Sequence, residues 1–198
     1  MLTLAVTFLP FALVAAFTPG PNNLMLAASG ANFGVHRSIP HVLGIVAGFP
    51  VLVLAVGLGL GALFQQHPGM HTILKFLGAA FLLYLAWRIA TAGPSSTGTA
   101  PGRPLTFLEA ALFQWVNPKA WIFAVSAVAT YTTVGGRASA EIAVILAVCV
   151  LVTVASTVAW TMFGAGLSRF LQGSPRMLRA FNIGMALLLV LSIVPVVV

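Results

Sequence analysis

Charge is what this chain has least of. Only 6% of its 198 residues are Asp, Glu, Lys or Arg, where a soluble domain carries roughly 25%, so a surface facing water on all sides cannot be built. Aspartate is absent, and the acids number two, Glu109 and Glu141. No carboxylate falls at mid-membrane, so a carboxylate proton relay like that of many pumps is not visible. No Ser–His pair or zinc-ligand spacing occurs on one helix, so no catalytic set can be assembled and an enzyme is not expected. Cysteine is represented once, by Cys149 inside an apolar run, which excludes a disulfide framework. His67 and His71 have metal-like spacing, but Pro68-Gly69 breaks the helix that would align them, so neither a metal nor a cofactor is expected. The N-terminal segment lacks a positive n-region, so a cleavable signal peptide is not expected either.

What is present is hydrocarbon: 60% of the residues are apolar. The runs are continuous and rich in Leu, Ala and Val, unlike the alternating ten-residue segments of a membrane β-barrel. Helices of about 20 residues account for nearly the whole length, and an all-α integral membrane protein follows. The net charge of +7 comes from nine cations spread singly through short loops. With no basic stripe among them, nucleic acid is not an expected partner; the lipid bilayer is.

Six spans are expected. The first runs from about Leu2 to Ala28, followed by a polar hinge from Ser29 to His41. The second covers roughly Val42 to Phe64, with the GxxxG pairs Gly44/Gly48 and Gly57/Gly61 read as helix packing; a homodimer is left open. A turn from Gln65 to His71 leads to the third, about Met70 to Thr91. Residues 93–104, GPSSTGTAPGRP, read as a flexible connector that separates residues 1–92 from 105–198. Leu105 to Thr132, Ala140 to Gly166 and Leu178 onward make the last three, divided by a turn at Thr133 to Arg137 and a basic loop at Arg169 to Arg179. With both termini external, the cytoplasmic side holds Arg37, Arg88, Arg103, Arg169, Arg176 and Arg179, against Lys75 and Arg137 outside, which satisfies the positive-inside rule.

Two interruptions stand out. Phe17 to Asn23 reads FTPGPNN, where Pro19 and Pro21 supply no N–H and Gly20 adds backbone freedom. Broken backbone at membrane depth is tolerated where it is buried in protein or lines a wet cavity; the competing reading is a surface loop. The second interruption is Asn117-Pro118-Lys119. Pro118 lies 97 positions after Pro21, close to half the chain, as in an inverted repeat of two three-helix halves. Lys119 lies about 14 residues beyond Leu105, roughly 21 Å into the membrane, where an ionisable group is a functional-site hypothesis. Its structural alternative is a lysine that satisfies carbonyls freed at the breaks. A half-helix starting near Pro21 offers bare N–H groups and a positive dipole end, which with Lys119 suits a carboxylate. Asn22, Asn23 and Asn117 suit an ammonium or a polar side chain. Glu109, His36 and His41 are the candidates for proton coupling, against ordinary interfacial and loop roles.

FTPGPNNLMLAASGANFGVHRS, FLGAAFLLYLAWRIATA (Phe76 to Ala92) and FLEAALFQWVNPKAWIFAVSAVATY (Phe107 to Tyr131) resemble the LysE/RhtB family of bacterial amino-acid exporters, most of all its cysteine/O-acetylserine subgroup. The resemblance covers essentially the whole chain. It implies efflux of small amino acids from the cytoplasm through the inner membrane, coupled to the proton gradient. It carries the family's motif onto Pro19, Gly20, Pro21, Asn22, Asn23, Asn117, Pro118 and Lys119. The competing functions are a passive channel, which would need a continuous polar stripe on several helices, and a scaffold, which would leave Lys119 unexplained.

Overall fold

A computed structural model describes residues 1–61, 66, 68–92, 102–133, 137–171 and 173–194, with backbone alone for Pro68, Met70, His71 and Arg169. Among the described residues the chain forms seven α-helices and no strand: α1 (Leu2–Phe17), α2 (Pro21–Ala55), α3 (Pro68–Ala90), α4 (Phe107–Phe113), α5 (Pro118–Tyr131), α6 (Ala138–Leu171) and α7 (Pro175–Leu191). A π-helical turn, Val56–Leu60, prolongs α2. Three stretches, Pro21–Leu60, Thr72–Ala90 and Ala138–Ser168, are long and apolar enough to cross a membrane. The 34 residues of α6 give about 51 Å at 1.5 Å each, beyond a hydrocarbon core of about 30 Å. His67, residues 93–101 of the connector, and 134–136 of the turn lie outside the described residues.

Prolines set the helix starts. Pro21, Pro118 and Pro175 each occupy the first turn of their helices, where a missing N–H costs nothing and φ is already helical. α4 opens on a capping box: the Thr106 hydroxyl accepts from the Glu109 N–H, and the Glu109 carboxylate accepts from the Thr106 N–H. Such a box satisfies two of the four donors that a helix start leaves open.

The expected polar hinge from Ser29 to His41 is not a loop. Both sides are helical, and the break is confined to Gly34, whose φ of 78° is a conformation that favours glycine. The polar residues around it need no loop because they are paired inside the bundle. Ser29 and Ser38 hydroxyls lie 2.7 Å apart, Ser38 donates to the Gly34 carbonyl, and Asn32 exchanges amide hydrogen bonds with Asn182 of α7.

The two larger apolar cores meet along α2. One joins Phe8 and Ala12 of α1, Leu52 and Val53 of α2, Ala124 and Ala127 of α5, and Ile145 and Cys149 of α6; Phe8 and Tyr131 rings meet at 4.9 Å there, Phe11 and Phe123 at 5.2 Å. The other joins Leu26 and Ile45 of α2, Leu82 and Leu85 of α3, Phe113 of α4 and Leu189 of α7. Outward faces are also apolar, with Leu58, Trp87, Leu151 and Phe170 exposed. Such surface is a liability in water and a match for lipid.

Small residues let backbones touch. A Cβ on Gly30 would overlap the Thr161 carbonyl oxygen, and one on Gly164 would overlap that of Ala27, so α2 and α6 cross in backbone contact. Gly44 and Gly48 fit against Phe107, Ala110 and Ala111 of α4. This GxxxG pair is thus spent within the chain, as close helix approach requires.

Candidate functional site

The two breaks come together. α1 ends at Phe17, and the extended link Thr18–Gly20 leads to α2; α4 ends at Phe113, and residues 114–117 turn into α5. A helix end leaves up to four carbonyls without partners, and at α1 side chains from three helices take them up. The Ala16 carbonyl accepts from Asn23 Nδ2 of α2 and Ser156 Oγ of α6, both at 2.7 Å. The Thr18 carbonyl accepts from Asn23 Nδ2 at 2.9 Å and from Lys119 Nζ at 2.7 Å. A cation at a helix C-terminus also opposes the negative end of the helix dipole. At the second break, Trp121 Nε1 donates to the Trp115 carbonyl at 2.8 Å.

Asn22 and Gln114 join the breaks directly. Asn22 Nδ2 donates to Gln114 Oε1 at 2.8 Å, and Gln114 Nε2 donates back to Asn22 Oδ1 at 3.2 Å and to the Ala110 carbonyl at 2.9 Å. Gln114 is fully buried. The sequence reading missed it because a single Gln in an amphipathic run has no distinguishing local signal.

Beside this junction lies a cavity with an empty volume of about 610 Å³, its opening included. Its walls carry Gly20, Pro21, Asn22, Asn23, Asn117 and Lys119 from the two breaks. Ala12 and Ala16 of α1, Phe49 of α2 and Phe123 of α5 give apolar surface, and Thr153, Ser156 and Thr157 of α6 give hydroxyls. Those three recur at i, i+3 and i+4, a spacing that puts them on one helix face and is visible in the sequence once sought. Exposed Pro19 and half-buried Pro118 shape the breaks without lining the cavity.

Most polar groups here are already used. Asn23 spends its amide N–H groups on α1, and Asn22 is held by Gln114. Among the described lining residues, Lys119 and Asn117 retain capacity of the kinds an amino acid needs. The Lys119 ammonium has three N–H donors, and one of them goes to Thr18. Asn117, 2% exposed, has an Oδ1 with no hydrogen-bond partner. A buried unpaired acceptor costs about 1–3 kcal/mol, and one on a cavity wall can recover that from a ligand N–H. The lysine stem lies over Gly20, where a Cβ would sit 2.8 Å from Lys119 Cδ and 3.0 Å from Nζ.

Of the proton-coupling candidates, His41 lies within reach of the Glu109 charge, and His36 stands apart. His41 is buried in α2 rather than set in a loop, 1% exposed, and close enough to Glu109 and Arg88 for their charges to act on its ring. Glu109 holds Arg103 in a bidentate pair, both contacts 2.7 Å. His36 is exposed and does not line the central cavity.

Comparison with known proteins places the chain in a family. Residues 13–194 match the family model for the LysE type translocator. A cysteine/O-acetylserine efflux protein of Escherichia coli O157:H7 is 30% identical over 189 residues, covering 95% of this chain and 94% of that protein. The protein of the same name from Escherichia coli K12 is 29% identical over the same share, and that of Klebsiella pneumoniae is 33% identical over 129 residues, 65% of each chain. No solved structure matches. With the family model spanning nearly its whole length, this all-helical membrane chain belongs to the LysE type translocators and is a transporter rather than an enzyme.

Proposed function

We propose that the protein exports small neutral amino acids or their derivatives, of the cysteine/O-acetylserine or threonine/homoserine kind, out of the bacterial cytoplasm across the inner membrane. Its six spans form two inverted three-helix halves, residues 1–92 and 105–198, joined by a cytoplasmic connector at 93–104, with both termini outside. The observation that carries the reading is the cavity in which the Lys119 ammonium and the unpaired Asn117 Oδ1 share a wall. Lys119 binds the substrate carboxylate, and Asn117 accepts from its ammonium. Ala12, Ala16 and Phe123 leave an apolar wall for a short side chain. Support for the repeat comes from the two proline-led helix restarts, Pro21 and Pro118. The proton gradient drives export, with Glu109, His41 and His36 as the candidate proton-coupling groups.

The test is export from cells overproducing the protein and fed amino acids as dipeptides. Charge-assisted contacts are worth about 1.5–3 kcal/mol, so Lys119→Ala is expected to lower export efficiency roughly 10- to 100-fold. Export by a normally expressed, folded Lys119→Ala at the wild-type rate overturns the assignment. Saturable flux that responds to a pH gradient fits a transporter; flux linear in concentration and indifferent to the gradient indicates a passive channel.

A further inference from the structure

A second cavity lies one helical turn along α2 from the first, with an empty volume of about 470 Å³, its opening included. Asn22 and Ile45 line the first cavity, whereas Met25 and His41 line the second. Met25 and Ile45, both buried in one apolar cluster, stand between the two. Ser29, Asn32, Arg88 and Arg103 complete the polar part of the wall.

His41 is the anomaly. It is 1% exposed, and neither ring nitrogen has a hydrogen-bond partner. A neutral imidazole carries one donor and one acceptor, and a buried polar group left unpaired calls for an explanation. The neighbouring polar groups are already engaged. Ser38 donates to the Gly34 carbonyl, so Ser29 donates to Ser38. Asn32 is locked to Asn182, which also donates to the Ala92 carbonyl.

Arg88 supplies the charge. It donates from Nη2 to the Arg103 carbonyl at 2.7 Å, and its Cζ lies 5.7 Å from the Tyr84 ring centroid. Glu109 neutralises Arg103, and Arg88 has no carboxylate partner among the described residues. A cation and an unpartnered buried imidazole therefore share one cavity wall.

We propose that this cavity is a second binding site, for the carboxylate end of a small molecule, with Arg88 supplying the charge and His41 a hydrogen bond. It rests on the amino-acid reading for its ligand, and it places two carboxylate sites in series along α2 with the apolar cluster of Met25 and Ile45 between them. The molecule binds at Arg88, passes that apolar barrier and is taken up by Lys119.

Equilibrium binding of labelled, reduced L-cysteine to the full chain in lipid nanodiscs tests this. Wild type is expected to saturate at roughly twice the level of Arg88→Gln, of His41→Phe or of Lys119→Ala, and Arg88→Gln/Lys119→Ala is expected to lose saturable binding. Arg88→Lys, which keeps a cation, is expected to retain the second equivalent. Lactate is expected to displace the Arg88-dependent fraction, and ethanolamine, which lacks a carboxylate, is not. Wild-type binding by Arg88→Gln and His41→Phe overturns the second site. Complete loss in Arg88→Gln without rescue by Arg88→Lys also overturns it. If Arg88→Gln halves binding while Lys119→Ala leaves it whole, the second site stands and the central assignment falls. Absence of saturable binding in every protein overturns both.

Discussion

Gly164→Ala isolates what the crossing of α2 and α6 requires. At Gly164 an added Cβ would overlap the Ala27 carbonyl oxygen and lie 2.7 Å from its carbon and 2.9 Å from its Cα. Carbon atoms pack at about 3.5–4.0 Å, so the helices must part by roughly 1 Å, and no side chain is there to rotate away. Overpacking costs typically 1–3 kcal/mol, and a backbone-to-backbone clash belongs at the top of that range. Alanine returns up to about 1 kcal/mol of helix propensity, which leaves a net loss of about 2 kcal/mol. For a chain of this size that lowers the melting temperature by roughly 4–8 °C. Gly166 is the internal control: it lies on the same helix, with nothing within 4 Å of its Cβ position. Gly166→Ala is therefore expected to melt at or slightly above wild type. Thermal unfolding of the three purified proteins, followed by tryptophan fluorescence in detergent, measures both shifts. A Gly164→Ala protein as stable as wild type, or a Gly166→Ala protein that falls equally, would refute the close-crossing argument.

Three further outcomes follow from the junction and its neighbour. Asn22→Leu or Gln114→Leu alone strands a buried amide and is expected to cost about 1–3 kcal/mol. The double variant is expected to cost less than the sum, and a double-mutant cycle on denaturation midpoints reads that coupling. His41→Phe removes two buried unpaired nitrogens and is expected to raise stability by about 1 kcal/mol or more, read as a higher melting temperature. Gly20→Ala pushes on the mobile end of the Lys119 side chain, so folding is expected to survive while export falls; unchanged export would show that the lysine's position over Gly20 is immaterial.

The breaks were legible because proline and glycine write their effects directly into the backbone: Pro21 and Pro118 begin helices in the structure as their chemistry requires. Lys119 stands out in the sequence for a different reason, since one charge in an apolar run is costly unless it is paired or used. Its observed bond to the Thr18 carbonyl realises the structural alternative weighed for it, and the ammonium's remaining donors keep the functional one open. The Ser29–His41 hinge narrows to a single break at Gly34, and its polar residues are not solvated: Ser29 and Ser38 satisfy each other, and Asn32 finds Asn182, 150 residues away. No local pattern announces such a partner. The second cavity was equally hidden, since His41 and Arg88 belong to different helices and neither is unusual alone.

The bond from Lys119 to the Thr18 carbonyl has a mechanical consequence. The lysine belongs to α5 by sequence and is tethered to the end of α1 by hydrogen bonding, so its charge is a pivot rather than a swinging arm. An anion seated on it is coupled to the position of α1. If α1 swings away from α5, either the tether breaks and the ammonium is freed to turn, or an anion held by it moves with α1. The three-residue link Thr18–Gly20 joins α1 to α2, so on the proposed carboxylate role a motion of α1 against α5 is felt at the Lys119 ammonium through this one hydrogen bond.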